Sequence, residues 1–192
     1  GTELGRDESA RVNEIKAKFR ILPKQFGKYN GEKVFEIEKV CVGTKTMSYQ
    51  SYLNCRNYSF IVKLLGQPVF TPIYKLIQKI GISWYDFSRA VTKTVEDNSH
   101  KSQLKTLYDE FCYESHNELF ETEQKAKDFY SIEENYQKLF RGEMGENLLG
   151  KYSAKGLLFY NDVLGTLFEV IKGEFKEHLD PKINLILESS EK

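Results

Sequence analysis

Apolar residues change their spacing along the chain near residue 48. Upstream, Val34 to Val42 mixes alternation with β-branched side chains and ends at Gly43, which predicts a strand. Before it, Gly27-Lys-Tyr-Asn-Gly31 is turn chemistry, because Asn30-Gly31 readily takes positive φ. The strand's expected partner is the segment around Phe19 to Leu22, or Ile183 to Leu187 near the C-terminus. Val12, Ile15 and Phe19 recur at helical spacing through a lysine-rich run and predict a short amphipathic helix before Pro23.

Downstream the apolar period becomes helical. Leu53, Phe60, Ile61, Leu64 and Leu65 form one stripe, with Ser48 as N-cap and Gly66 and Pro68 as the stop. Thr71-Pro72 reads as an N-cap followed by proline at the first helical position, closed by Gly81. Ser83 opens another helix, with Asp86 at the capping-box position, and Glu96 to Lys101 is a polar loop. Leu104 to Leu119 reads as a long amphipathic helix, Thr122 as the cap of a shorter one ending near Tyr130, and Ser131-Ile-Glu-Glu134 as a capping box whose helix ends at Gly142. Leu148 to Ile171 continues the pattern almost to Pro181, with a break at Asn161-Asp162 that caps a second helix.

The expected fold is mainly α, an irregular bundle of about six or seven helices with a small N-terminal β element. The expected domain organisation is an N-terminal segment over 1–47, with a short helix and the β element packing on the helical domain, a helical domain over 48–180, and a C-terminal tail with a short strand over 181–192. Composition adds that a real apolar core is available: the 192 residues are 40% hydrophobic. Charge adds an exclusion. Lys and Arg total 28 and Asp and Glu total 28, so no net field draws the chain to nucleic acid or an anionic membrane. No apolar run approaches the ~20 residues that span a bilayer. Three widely spaced cysteines argue for a reducing cytoplasm over a disulfide framework. Gly1-Thr2, with no initiator Met, reads as the start of an excised fragment.

Candidate chemistry is sparse. Asp109, Cys112 and His116 share a helix face at metal-ligand spacing, but no second Cys/His pair completes four ligands, and Cys112 also suits the edge of an apolar stripe. Gly142-Glu-Met-Gly145-Glu-Asn147 precedes a helix and could aim backbone N–H groups at an anion; its two glutamates favour plain structural punctuation. Lys16 to Tyr29 interleaves cations with Phe19, Phe26 and Tyr29, the ingredients of a single-strand binding surface and equally of ordinary solvated lysines. Arg56, among Tyr49, Tyr52 and Tyr58, either clamps a carboxylate or phosphate ligand or pairs with an acidic residue; in the ligand case Arg56→Ala leaves the fold intact. His100 and His178 have no visible partners. No complete catalytic set is present.

Two stretches carry a resemblance. Phe19-Arg-Ile-Leu-Pro-Lys-Gln-Phe-Gly27 with Val34 to Ser48 and Tyr52-Leu-Asn-Cys-Arg56 resembles the segment after the barrel in radical S-adenosylmethionine proteins, and Tyr136 to Tyr152 resembles their distal helical region. The resemblance implies a non-catalytic C-terminal accessory domain. Its parent binds an iron–sulfur cluster, S-adenosylmethionine and, in many members, cobalamin, all on an N-terminal barrel of the same polypeptide. The cofactors belong to that barrel and none to this chain, because the cluster needs Cys-x-x-x-Cys-x-x-Cys and the cysteines here lie 14 and 57 positions apart. Tyr52, Arg56, Lys151 and Tyr152 become candidate substrate or interface contacts. A helical protein–protein interaction module is the alternative function.

Overall fold

Asn30 and Gly31, at φ of 50° and 90°, make the tight turn that folds β1 (Lys16–Tyr29) back on β2 (Glu32–Gly43). In this computed structural model, which describes residues 7–181, the two strands pair antiparallel, with Tyr29 opposite Glu32 and Ile21 opposite Ile37. The ladder is irregular between Ile21 and Phe26, where Pro23 has no N–H to donate and Lys24 takes φ 62°. The alternative partner at Ile183 to Leu187 lies outside the described residues.

The helix expected across Val12 to Phe19 is corrected. Helix α1 covers only Asp7–Val12 and Glu14, at φ 49°, ends its course. Beyond it Lys16, Lys18 and Arg20 alternate with Ala17, Phe19 and Ile21, a period of two that the β2 ladder satisfies. The apparent helical spacing spans two different elements.

Eight further helices follow among the described residues: α2 (Tyr49–Leu65), α3 (Thr71–Lys79), α4 (Trp84–Glu96), α5 (Gln103–Asn117), α6 (Glu123–Ser131), α7 (Glu133–Phe140), α8 (Leu148–Leu158) and α9 (Tyr160–Glu174). The chain is therefore mostly helical with a small two-stranded sheet. The count is close to the six or seven expected, and the last apolar stretch divides at Phe159, just before the expected break at Asn161-Asp162.

Local capping explains most boundaries. The Ser48 hydroxyl accepts from the N–H of Ser51 at 3.0 Å, Ser83 from Asp86 at 3.0 Å and Thr122 from Lys125 at 3.1 Å. Thr71 is not a cap: a 3-10 turn at Pro68–Phe70 already winds the chain, so Thr71 is helical and Phe70 precedes it. Ser131 does not cap either, because α6 holds it as its last residue and Ile132 makes the extended break before α7. Asp162 caps, but not its own helix. Its carboxylate accepts from the N–H of Gln103 at 2.8 Å and of Leu104 at 3.4 Å, closing the start of α5.

By contacts the described chain forms two units, each made of two chain segments. The first holds the residues up to Arg56 with Cys112–Leu148; the second holds Asn57–Phe111 with the residues from Leu149 onward. In the first, α6 and α7 cover the hairpin, burying Ile21, Phe35, Ala126, Tyr130, Tyr136 and Leu139. Phe26 meets Tyr136 edge-on at 6.0 Å and Phe35 meets it at 5.9 Å. In the second, Phe60 stacks on Phe111 at 4.9 Å and the edge of Tyr152 closes on both, while α4 and α9 bury Phe87, Val91, Val163 and Leu167. Each such side chain contributes about 1.5–3 kcal/mol of burial. No single described helix is long and apolar enough to cross a membrane; α2 and the Pro68–Lys79 segment reach that length only together and are bent by 71°.

Candidate functional site

After α5 ends at Asn117, Phe120 exchanges two backbone hydrogen bonds with Phe19 of β1, at 2.8 and 2.7 Å. That isolated bridge sets Glu118 against Arg20, 98 positions away in the chain. Arg20 Nη1 donates to Glu118 Oε1 at 2.9 Å, and its Nε donates to Glu38 on the facing strand. Arg56 Nη2 donates to the same Glu118 oxygen, and Arg56 Nε donates to the buried Ser115 hydroxyl at 3.1 Å. Two guanidinium groups and two carboxylates thus form one largely buried network.

Burial raises the Glu118 carboxyl above the ordinary range for a glutamate, against the pull of Arg56 and Arg20 that lowers it. Burial also acts to lower Arg20, yet Glu118 and Glu38 together hold it above its ordinary value. Tyr130 is pushed far up, first by burial and then by the Glu118 charge, so its phenol stays neutral.

Glu118 also lines a cleft of about 240 Å³ in this first unit, together with Phe120, Phe129, Tyr130, Met144 and Gly145. Three of its rings form a cluster: Phe120 to Phe129 at 5.2 Å, Phe129 to Tyr130 at 5.2 Å and Phe120 to Tyr130 at 5.6 Å. Gly145, at φ 69°, forms part of the floor because nothing larger fits: a Cβ would stand 2.5 Å from Leu139 and 3.1 Å from Ile21.

The residues singled out in the sequence are divided between the two units. Tyr52 and Arg56 lie in the first, where Tyr52 is half-buried and stacks on Tyr49 at 6.2 Å. Arg56 joins the network above, a structural tie through Glu118 and Ser115. Lys151 and Tyr152 lie in the second, with Tyr152 only 1% exposed in the core and Lys151 5.6 Å above its ring. Asp109 is engaged by Lys105 at 2.7 Å, Cys112 is half-buried, and His116 stands 6.0 Å from the Tyr49 ring. Among the described residues no group of three or more His, Cys, Asp or Glu side chains is arranged to hold a metal.

Other motifs resolve into local structure. The N–H groups of Gly142 and Glu143 donate to Leu139 and Lys138, closing α7, so those donors are already used. Lys18 pairs with Glu121 and sits 5.0 Å over the Tyr49 ring, while Phe26 is turned into the core. The histidines gain partners that the sequence did not show: His100 Nε2 lies 3.1 Å from the Ser102 hydroxyl, and His178 Nδ1 lies 3.2 Å from the Ile80 carbonyl.

Sequence reasoning missed Glu118 and the ring cluster. The only local signal was a glutamate just past the last turn of an amphipathic helix, followed by Phe120, Phe129 and Tyr130, which read as core. No known protein-family model, curated protein or solved structure matches the chain.

Proposed function

We propose that this chain is the C-terminal accessory region of a radical S-adenosylmethionine protein, without catalysis of its own, that helps shape the substrate site of a barrel in the same polypeptide. One observation carries the reading. The two resembling stretches, 19–56 and 136–152, are remote in sequence, yet the first and most of the second fall in a single unit. Phe26 and Phe35 of the first meet Tyr136 of the second, and Gly145 closes against Ile21. Chance resemblance in two unrelated segments carries no such requirement.

The cysteines do not fit the cluster of such proteins. Cys41 lies exposed on β2, Cys55 exposed on α2 and Cys112 half-buried on α5, and no three ligands converge among the described residues. On this reading iron, sulfide and S-adenosylmethionine, with cobalamin in many members, are bound by the barrel, and the parent works in the cytoplasm. Of the four candidate contacts for substrate or barrel, Tyr52 and Lys151 are half-buried and keep surface for such a role, whereas Arg56 is engaged by Glu118 and Ser115 and Tyr152 lies in the core.

The test uses the full polypeptide from the native reading frame. Anaerobic reconstitution with iron and sulfide should give thiolate-to-iron absorption that disappears when cysteines of a Cys-x-x-x-Cys-x-x-Cys motif are replaced by alanine. A full polypeptide that lacks the motif and takes up no cluster overturns the proposal.

A further inference from the structure

The cleft of the first unit is walled by ring faces and carboxylates, and no lysine or arginine is among its lining residues. Glu114, Glu143 and Tyr113 line it beside Glu118, and Arg141 already holds both oxygens of Glu143, so Glu118 is the carboxylate that would meet a ligand. On Glu118, which lines the cleft, both arginine hydrogen bonds converge on Oε1 and neither engages Oε2. Phe129 is 36% exposed although it belongs to a ring cluster whose other members are better covered. An occupant of the cleft would cover it.

We propose that this cleft binds a small organic cation with an apolar body, a primary or substituted ammonium compound carrying an aryl or branched alkyl group. Ring faces attract a cation through their quadrupole, and they take up an apolar body without orienting it. A carboxylate oxygen then accepts the ammonium hydrogen bond and fixes one end. An anion of the same shape meets carboxylates on the cleft wall, and a neutral alcohol loses the charge-assisted bond. The volume, about 240 Å³, lies just below the usual range for drug-sized ligands, so a single ring with a short arm is the right scale. The inference concerns the cleft alone and stands whether or not the chain belongs to a radical enzyme.

The experiment is an amide-resolved NMR titration of the chain with three nearly isosteric probes: 2-phenylethylammonium, 2-phenylethanol and 3-phenylpropionate. The ammonium compound should bind about tenfold or more tightly than the other two, through charge assistance and cation–π attraction. The amides that shift should include Glu118, Phe129, Tyr130 and Gly145. Phe129→Ala, a substitution at a partly exposed position, should keep the thermal transition and weaken the ammonium probe several-fold. Three results overturn the proposal: phenylpropionate binding as tightly as the amine, no shifts at those amides up to ~10 mM amine, or unchanged affinity in a folded Phe129→Ala chain.

Discussion

Arg56→Met keeps most of the aliphatic stem and removes the guanidinium, so it reads the ties to Glu118 and Ser115 more than packing. The Arg56 and Glu118 side chains are 13% and 16% exposed. Stripping one partner from a buried pair costs about 3–5 kcal/mol. Here Glu118 keeps Arg20, and the residual exposure screens part of the charge, so the expected loss at neutral pH is about 2–3 kcal/mol. In a chain of this size that lowers the Tm by roughly 5–10 °C. The pH dependence separates a charge effect from a packing one. Because burial raises the Glu118 carboxyl, its contribution to stability is present below the ordinary glutamate range and is lost as pH rises through the folded-state value. Removing Arg56 takes away a pull that lowers it, so the variant loses that contribution over a wider span of pH. The gap between wild type and variant should therefore be small near pH ~4 and widen toward pH ~7. Urea unfolding followed by far-ultraviolet circular dichroism at both pH values measures it. A penalty that is equal at the two pH values, or below ~0.5 kcal/mol at neutral pH, would refute the reasoning, since that is all an exposed pair contributes.

Gly145→Ala must place a Cβ 2.5 Å from Leu139 at a positive φ, and about 2–3 kcal/mol should be lost in denaturant unfolding; a neutral result would show that the cleft floor yields easily. Asp162→Ala leaves the Gln103 and Leu104 N–H groups without their acceptor and should cost about 1 kcal/mol, with faster amide exchange at the start of α5 as the local readout. The chain by itself, reconstituted anaerobically with iron and sulfide, should stay colourless; a stoichiometric thiolate–iron band lost on replacing Cys41 or Cys55 would place cluster chemistry here after all.

What was legible in the sequence is what local chemistry decides. Ser48, Ser83 and Thr122 cap helices because a short hydroxyl reaches an N–H three residues on, an interaction contained within four residues. Asn30-Gly31 turns the hairpin for the same reason of locality. Where two local solutions competed, position in the larger structure decided. Ser131 has the side chain of a cap, but the preceding helix already holds its backbone, and its carbonyl accepts from Lys33 at 2.7 Å. Lys16 to Ile21 alternates with a period of two, but Val12, Ile15 and Phe19 also fit a helical spacing, and the β2 ladder decides for the strand.

The network around Glu118 was illegible for a different reason. Arg20 alternates with Phe19 and Ile21, and Glu38, Arg56 and Glu118 each adjoin a polar residue, patterns in which a charged residue ordinarily faces water. Nothing within a helical turn or a strand pair of Glu118 marks it as buried. Its burial follows from one backbone exchange, Phe19 with Phe120, which joins the end of α5 to the first strand. The same exchange gives the cleft two of its walls, because Phe120 leads into α6 and so to Phe129 and Tyr130. Arg56, read from the sequence as a ligand clamp or an ion-pair partner, is not among the cleft's lining residues but holds Glu118, which is. On this geometry Arg56 acts on any occupant through Glu118, so losing Arg56 should disturb ligand affinity through a charged network whose cost depends on pH, whereas losing Phe129 should weaken affinity and remove ring packing with no such pH dependence.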